Sequence, residues 1–287
     1  MTGGIAPLLA LLDLEPIEVN LFRGQSPAAG VQRVFGGQVA AQALVAAGRT
    51  IDRGAVHSLH AYFLRPGDPE VPILYEVDRI RDGRSFTTRR VVAIQHGRAI
   101  FNLACSFQVA EKGIEHQTPM PKVPGPERLV AIPEAPEEVP AHFHLAHGLE
   151  IRFVTPPPWQ RSGAAPPQLG AEAVEREQLW FRFAEALPDD PLVHAAVAIF
   201  ASDLTLVDTV LLRHGSTPWS DEFVGASLDH CMWFHRPFCA DEWILYDQYS
   251  PSAYGARGIA FGTLYTERGD LVASVAQEGL VRFRRDP

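Results

Sequence analysis

Three charged or ionisable side chains stand where they could take part in chemistry. Asp203 interrupts the apolar segment IFASDLTLV. Burying a carboxylate without partners is destabilising, so Asp203 is either a solvent-exposed helix end or a functional acid. Asp229 and His230 form an adjacent acid–base pair. Successive strand residues point to opposite faces of a sheet, so the two are not expected to face one substrate. We expect a structural role for Asp229 and leave His230 undecided.

Several catalytic chemistries lack the motif that they require. No G-x-S-x-G string is present, which disfavours the α/β-hydrolase class. No C-x-x-C, H-E-x-x-H or clustered His and Cys residues occur, so we expect no metal. No Walker or G-x-G-x-x-G loop is present, and no cofactor is expected. The string FGGQ at 35–38 predicts a glycine turn with close helix–sheet packing rather than a phosphate loop.

The composition is that of an ordinary globular protein, with 46% hydrophobic and 21% charged residues among 287. The net charge of -9 and the scattered Lys and Arg residues argue against nucleic-acid binding. Three cysteines, Cys105, Cys231 and Cys239, fit a reducing compartment. The sequence has no apolar run that could span a bilayer, no basic signal-peptide start and no Ser-Lys-Leu ending, so we expect a cytoplasmic protein.

Two parts of the sequence resemble each other. The matching segments are HAYFLRP (60–66) with CMWFHRP (231–237), ILYEV (73–77) with ILYDQ (244–248), and 91–108 with 262–279. Arg65 and Arg236, for example, lie 171 positions apart, and Gly97 and Gly269 occupy matching turns. Because the segments keep their order and nearly constant offset, they indicate a duplicated module.

Each copy predicts one helix and a set of antiparallel strands. VAAQALVAAG at 39–48 is apolar on nearly every side, which is typical of a buried helix, and 193–212 predicts a longer counterpart that starts after Pro-Asp-Asp-Pro. Later runs of Val, Ile, Phe and Tyr are broken by His-Gly or Arg-Gly turns, which predicts a strand meander. We therefore expect an α+β fold with modules at 1–112 and 141–287, joined by a Pro-rich linker at 113–140.

Five strings stand out for their order along the chain. They are RVFGGQVAAQAL (33–44), ASDLTL (201–206), LDHCMWFHRPF (228–238), ARG (256–258) and LVASVAQEGLVR (271–282). Together they resemble the acyl-CoA thioesterase II family, the TesB-type enzymes, over nearly the whole chain. The resemblance implies a double hot-dog fold, in which each module is a curved antiparallel sheet wrapped around a central helix. It also implies hydrolysis of fatty acyl-CoA to free fatty acid and CoA.

The same resemblance implies that an Asp, a Ser or Thr, and a Gln of the second module hold the water that attacks the thioester. On this sequence they fall on Asp203, Ser227 and Gln277. Many members of the family have Thr where Ser227 stands. The first-module position that matches Gln277 is Cys105, so we expect one working site per chain. Because a thiolate leaves readily, positioning the water could supply much of the rate.

Three further residues are predicted to contact the substrate. His235 and Arg236 lie either at the module interface or near the CoA phosphates, and Arg257 either binds a phosphate or forms a surface ion pair. We expect acyl-CoA as the small-molecule partner and, because sheet edges tend to be covered, a homodimer or homotetramer. Two other classes stay open. A hydratase-type acyl-CoA lyase would release no free thiol, and an acyl-CoA-binding module would bind without turnover.

Overall fold

A computed structural model describes residues 7–27, 32–130, 148–157, 160, 175–214 and 223–284. The first half of the chain contains α1 (Pro7–Leu12), β1 (Glu15–Glu18), β2 (Leu21–Gly24), α2 (Gly36–Gly48), β3 (Ala55–Phe63), β4 (Ile73–Asp82), β5 (Phe86–Gln95) and β6 (Arg98–Gln108). A 3-10 helix (Pro126–Arg128) lies between the halves. The second half contains β7 (Leu149–Phe153), β8 (Arg176–Phe183), α3 (Pro191–Ser202), α4 (Thr209–Leu212), β9 (Phe223–Ser227), β10 (Asp229–Phe234), β11 (Ile244–Tyr254), β12 (Arg257–Thr266) and β13 (Leu271–Phe283). No helix in these ranges is long and apolar enough to cross a membrane.

The strands of the described ranges form one antiparallel sheet. Its order is β1-β2-β4-β5-β6-β3-β10-β13-β12-β11-β8-β7, and β9 pairs with β13. Outward from the central pair β3–β10, the first half of the chain supplies β3, β6, β5, β4, β2 and β1. The second half supplies β10, β13, β12, β11, β8 and β7 in the corresponding positions. The predicted α+β fold of two similar modules is therefore confirmed.

The pairing of β3 with β10 joins the two halves and fixes their relation. His60 stands opposite Cys231, the residue that the sequence repeat matches with it. A pair of matched residues that face each other lies on a twofold pseudo-symmetry axis, so the two halves are related by a half-turn about this point. Tyr75 in β4 and Tyr246 in β11, which the repeat also matches, are both fully buried. The core of each half therefore uses the same aromatic position.

The two long helices pack against each other in opposite directions. Near the start of α2, a Cβ atom at Gly37 would lie 2.9 Å from the carbonyl oxygen of Phe200 at the end of α3. Near the end of α2, Gly48 lies against Leu192 at the start of α3. The side chain of Asp190 caps α3 by accepting from Leu192 N at 2.9 Å, as the Pro-Asp-Asp-Pro start signal predicts. Glycine allows the two helix backbones to approach closely.

The long helix predicted over 193–212 is wrong, because α3 ends at Ser202. Turns follow from Asp203 to Asp208, and the short α4 begins only at Thr209. Within this interruption, Thr205 Oγ1 donates to Gln248 Oε1 at 2.8 Å. Asp and Thr are poor residues for a helix interior, and a tertiary hydrogen bond of this kind overrides the apolar periodicity that extended the prediction.

The chain between the halves runs across the second half of the sheet. Residues 113–125 have no regular structure. Trp180 Nε1 donates to Pro124 O at 3.0 Å, and Gln117 Nε2 donates to Gly269 O at 2.8 Å. These contacts give the Pro-rich stretch a fixed path without secondary structure. Residues 131–147 lie outside the described part, and the module bounds stay a prediction.

Candidate active site

Asp203, Ser227 and Gln277 lie together. Asp203 directly follows α3, and its side chain is only 3% exposed. Gln277 Nε2 donates a hydrogen bond to Asp203 Oδ1 at 2.5 Å, and Ser227 Oγ donates to the same oxygen at 3.4 Å. The structure thus brings the three residues singled out from the sequence into contact. Their catalytic roles stay a prediction at this point.

The strand pair β9–β13 places Ser227 beside Gln277. Ser227 stands opposite Gly279 in the sheet register. Gln277 lies two residues before Gly279, so its side chain points to the same face of β13. Because α3 ends at Ser202 instead of continuing, Asp203 can turn toward that face. The break in the predicted helix is therefore what completes the cluster.

The first half of the chain contributes to the cluster through the N-terminus of α2. The backbone N–H of Gly37 donates a hydrogen bond to the Asp203 carboxylate. A Cβ atom at Gly36 would lie 2.8 Å from Asp203 Oδ2. The first N–H groups of a helix have no intrahelical acceptor and carry the positive end of its dipole, so they favour an anion here. FGGQ packs closely against the sheet, as predicted, because Gly36 lies beside Phe63 of β3, and it also contacts α3 and faces the carboxylate.

His230 belongs to the same cluster, a placement that the sequence left undecided. Its ring is fully buried, with Nε2 at 2.9 Å from Ser202 Oγ and Nδ1 at 3.9 Å from Asp203 Oδ1. Asp229 instead accepts a hydrogen bond from the backbone N–H of Glu278 at 2.6 Å. Strand alternation predicts that only one of the adjacent pair enters the site. It does not say which one, because that depends on the register of β10.

Burial and hydrogen bonding set the charge states of the site. Burial raises the pKa of Asp203 to about 6, against hydrogen bonds from Gln277, Gly37 N–H and Ser227 and the positive charge of Arg33, which lower it. Burial lowers the pKa of His230 to about 4. At neutral pH the cluster therefore holds an ionised carboxylate beside a neutral imidazole.

Arg33 is a charged neighbour of the site that the sequence did not single out. It lies just before α2 and is exposed, and its Nη2 donates to Gly225 O of β9 at 3.2 Å. The side chain therefore reaches from the first half to the strand that carries Ser227. Its position within RVFGGQ, next to the helix start, is the sequence signal that could have identified it.

The residues predicted to contact CoA make hydrogen bonds within the protein. His235 Nε2 lies 2.8 Å from Ser274 Oγ, and Arg236 Nη1 donates to Leu271 O at 2.9 Å. Arg257 forms a half-exposed ion pair with Glu278, 2.9 Å from Nε to Oε1. The surface ion pair was one of the two interpretations of Arg257. Substrate contact by any of the three stays a prediction.

Among the described residues, one group of side chains has a spacing that could suit a metal ion: His194, Cys239 and Asp241. His194 Nδ1 already accepts from Ala240 N at 3.0 Å, and Asp241 Oδ2 accepts from Leu187 N at 3.0 Å. His194 lies near the N-terminal end of α3, whereas Asp203 follows its C-terminal end. The group is therefore separate from the candidate active site, and two of its three members already accept hydrogen bonds from backbone N–H groups.

The fold defines the class of the protein. A solved protein of unknown function with a hot-dog fold from Alicyclobacillus acidocaldarius superposes with a TM-score of 0.79 at 19% identity, covering 98% of this chain and 100% of that chain. A second solved structure, acyl-CoA thioesterase II TesB2 from Mycobacterium marinum, matches with a TM-score of 0.81 at 45% identity over 96% of this chain and 98% of that one. The protein is a double hot-dog protein.

The sequence comparisons give the family. The acyl-CoA thioesterase N-terminal domain model matches residues 24–108, and the acyl-CoA thioesterase model matches residues 154–280. Acyl-coenzyme A thioesterase 8 of Mus musculus is 42% identical over 99% of this chain and 92% of its own length. The chain therefore belongs to the acyl-CoA thioesterase family and is a thioester hydrolase. The family resemblance predicted from its five strings is confirmed.

Proposed function

We propose that this protein hydrolyses fatty acyl-CoA to free fatty acid and CoA by direct attack of a water molecule held by Asp203, Ser227 and Gln277. The strongest support is the buried carboxylate itself, on which an amide, a hydroxyl and a helix N-terminus converge. A carboxylate can accept a proton from water, while the amide and the hydroxyl can each donate to it or accept from it. The three groups thus offer the donors and acceptors that a single oriented water requires.

The reaction balances with Asp203 as the general base. The water oxygen attacks the thioester carbonyl carbon while Asp203 accepts one water proton. The tetrahedral intermediate collapses, the C–S bond breaks, and CoA leaves as a thiolate. A free thiol has a pKa of about 8.5, so the thiolate takes the proton from Asp203, whose pKa is about 6. The products are a carboxylic acid and free CoA, and Asp203 is ionised again.

The oxyanion of the intermediate is stabilised by the N-terminus of α2. This helix begins at Gly36, and besides the N–H of Gly37, which donates to Asp203, its first turn carries further backbone N–H groups without intrahelical acceptors. Such fixed donors stabilise a developing negative charge without reorganising during the reaction. In this proposal the first half supplies the oxyanion donors and the second half supplies the base. Each chain then has one site, built at the contact between its modules.

A covalent mechanism has one observation in its favour, which is the contact between Ser202 and His230. Ser202 Oγ lies 2.9 Å from His230 Nε2, as in a nucleophile–base pair. However, Ser202 is fully buried within α3, and its hydroxyl donates to Ile199 O at 2.9 Å. The distance of 3.9 Å between His230 Nδ1 and Asp203 Oδ1 is also too long for the hydrogen bond that orients a triad histidine. We therefore favour direct attack by water.

A thiol-release assay combined with intact-protein mass spectrometry tests this proposal. Purified protein is mixed with saturated acyl-CoA and acid-quenched during turnover. We expect free CoA to accumulate while the protein mass stays that of the unmodified chain. An acyl adduct on Ser202 or on any cysteine would replace direct attack with covalent catalysis.

The same assay separates the two other function classes. A hydratase-type lyase would release no CoA from a saturated substrate. A binding module would bind acyl-CoA saturably without thiol release. The Ser202→Ala variant adds a second criterion, because the covalent mechanism requires its activity to vanish, whereas in the water mechanism Ser202 does not touch the reacting atoms and turnover persists at a reduced rate.

A further inference from the structure

His230 holds a position from which it can orient another side chain. Its ring is fully buried between Ser202 at the end of α3 and Gln277 in β13. Nε2 faces Ser202 Oγ at 2.9 Å. Because that contact occupies Nε2, the ring atom left for Gln277 is Nδ1. The ring does not reach the carboxylate directly, since Nδ1 and Asp203 Oδ1 are 3.9 Å apart.

The amide of Gln277 needs such an orienting contact. An ionised carboxylate only accepts hydrogen bonds, so Asp203 requires the NH2 end of the amide, and the reversed amide would place two oxygens against each other. With Nε2 directed at Asp203, Gln277 Oε1 is buried and has no hydrogen-bond partner within the described ranges. His230 Nδ1 is likewise buried and has no partner in those ranges. If His230 Nδ1 carries the proton, it can donate a hydrogen bond to Gln277 Oε1, and both buried atoms then have a partner.

We propose that His230 is a positioning residue whose Nδ1–H donates to Gln277 Oε1 and holds the amide with its Nε2 toward Asp203. The inference rests on the proposed function, in which Asp203 is the base. The Ser202 hydroxyl is compatible with this tautomer, because it can turn from Ile199 O and donate to Nε2 when Nδ1 is protonated. The low pKa of His230, about 4, keeps the ring neutral during turnover. The chain from Ser202 through His230 and Gln277 then ends at the base.

The first half provides a natural comparison for this arrangement. Leu59 pairs with Cys105 in the register of β3 and β6. By the repeat these two positions match His230 and Gln277. Where no amide has to be oriented, the position of the histidine carries an apolar side chain. This pattern fits a histidine kept for its hydrogen bond rather than for filling the core.

Two amide substitutions at one position test the proposal. The Nδ2 group of Asn lies about where Nδ1 of His lies, whereas the longer Gln places its amide near Nε2. His230→Asn can therefore still donate to Gln277, while His230→Gln satisfies only Ser202. We expect His230→Asn to keep kcat within about 5-fold of wild type and His230→Gln to lose roughly 10- to 100-fold, the range typical of outer-shell orienting groups. KM should change by less than about 2-fold in both variants, because neither side chain contacts the substrate.

The pH profile gives a readout that a purely structural role would not move. The hydrogen bond from Gln277 lowers the pKa of Asp203. If that bond is lost, the acid limb of the kcat/KM profile should shift to higher pH in His230→Gln and stay in place in His230→Asn. Equal activities and equal acid limbs in the two variants would overturn the proposal.

A measurement on the unmodified protein covers the case in which the variants do not fold. Nitrogen-15 NMR of labelled histidine distinguishes the two neutral tautomers. We expect His230 to be the Nδ1–H tautomer, and an Nε2–H tautomer would contradict the proposal.

Asp203→Asn, assayed alongside, distinguishes a failure of the proposed function from a failure of the positioning role of His230. If that variant remains active, the proposed function fails. If it is inactive while His230→Asn and His230→Gln behave alike, only the positioning role fails.

Discussion

The two halves of the molecule carry different side chains on matching strand positions. The first half has Leu59, Arg89 and Cys105 where the second has His230, Ala260 and Gln277. The strand register supports the match, because Arg89 pairs with Cys105 and Ala260 pairs with Gln277. The sequence match between Cys105 and Gln277 is therefore confirmed by the sheet. At these matched positions the second half carries His230 and Gln277, which belong to the proposed hydrolytic site.

The difference lies in how fully the buried polar groups are satisfied. In the first half the guanidinium of Arg89, only 1% exposed, donates to Thr50 Oγ1 at 2.8 Å, to Thr50 O at 3.1 Å and to Asp82 Oδ1 at 2.5 Å. In the second half the small Ala260 leaves Gln277 free to meet Asp203. Buried polar groups whose hydrogen bonds are all made within the protein stabilise the fold. Buried polar groups that still have a free donor or acceptor can bind a reactant. The same backbone thus holds a satisfied structural network in one copy and the proposed catalytic residues in the other.

Removing the base tests the comparison most severely. Asp203→Asn keeps the shape of the side chain but cannot accept the water proton. We expect kcat to fall by about 100- to 10,000-fold, the range for a lost general base. Thiol release under saturating acyl-CoA, with circular dichroism as the folding control, measures it. Near-normal turnover in a folded variant would remove Asp203 from the mechanism.

The same substitution should change how stability depends on pH. The folded pKa of Asp203, about 6, lies above the ordinary value of 3.8 for an exposed Asp. The carboxyl group therefore contributes stability that is fully present below pH 4 and is lost as pH rises through 6. Asn does not titrate, so the stability of the variant relative to wild type should rise over this window by up to about 3 kcal/mol. Urea unfolding at pH 4.5 and pH 7.5 measures it. A difference that does not depend on pH would contradict the raised pKa.

Ser227 tests whether the hydroxyl is needed beside the base. We expect Ser227→Ala to lose about 2–3 kcal/mol of transition-state stabilisation, as when one donor is removed from a preorganised site. The loss should appear in kcat more than in KM, because the hydroxyl contacts water rather than CoA. Ser227→Thr is the matched control. It preserves the hydroxyl and should retain substantial activity in the same assay. Unchanged turnover in Ser227→Ala would make Ser227 structural.

Arg89 tests the other side of the comparison. Arg89→Met keeps most of the length of the side chain but loses every hydrogen bond of the guanidinium. We expect the free energy of unfolding to fall by about 1–3 kcal/mol, because Thr50 then keeps buried polar atoms without a donor. Turnover per folded molecule should stay the same. A fall in kcat in the folded variant would show that the first half takes part in the chemistry beyond α2.

The cysteines should have the smallest effect. Cys105 stands at the position of Gln277 and is buried beside Arg89; burial raises the pKa of its thiol to about 12, although the positive charge of Arg89 lowers it. Replacing Cys105, Cys231 and Cys239 with Ala should leave turnover within about 2-fold, because no thiolate acts as a nucleophile in the water mechanism. Loss of activity in a stable triple variant would overturn this view.

The fold could be predicted from the sequence to the level of two repeated modules, because Arg65, Tyr75 and their partners keep one offset along the chain. The site was predictable only in part. Asp203, Ser227 and Gln277 were identified by resemblance to a family. The contact of Gly37 with Asp203 could not be predicted, because it depends on two helices packing in opposite directions across the modules.

Local periodicity failed at one place and left one choice open. It extended the second helix past Ser202, because Leu204, Leu206 and Val210 continue an apolar pattern while folding as turns and a short helix. Alternation in β10 placed Asp229 and His230 on opposite faces, but it could not say which of them faces the site. Both outcomes depend on long-range pairing, which a local pattern does not contain.

The pairing of β3 with β10, which joins the two halves, has a consequence for the order in which the parts of the molecule fold. His60 and Cys231 meet there, although 171 positions separate them along the chain. Closing so long a loop has a large entropic cost, and contacts of such high sequence separation slow folding. The hairpins β5–β6 and β12–β13 join neighbouring segments and should form first. We therefore expect the candidate active site, which needs both modules in register, to be among the last parts of the molecule to gain protection from amide hydrogen exchange during refolding.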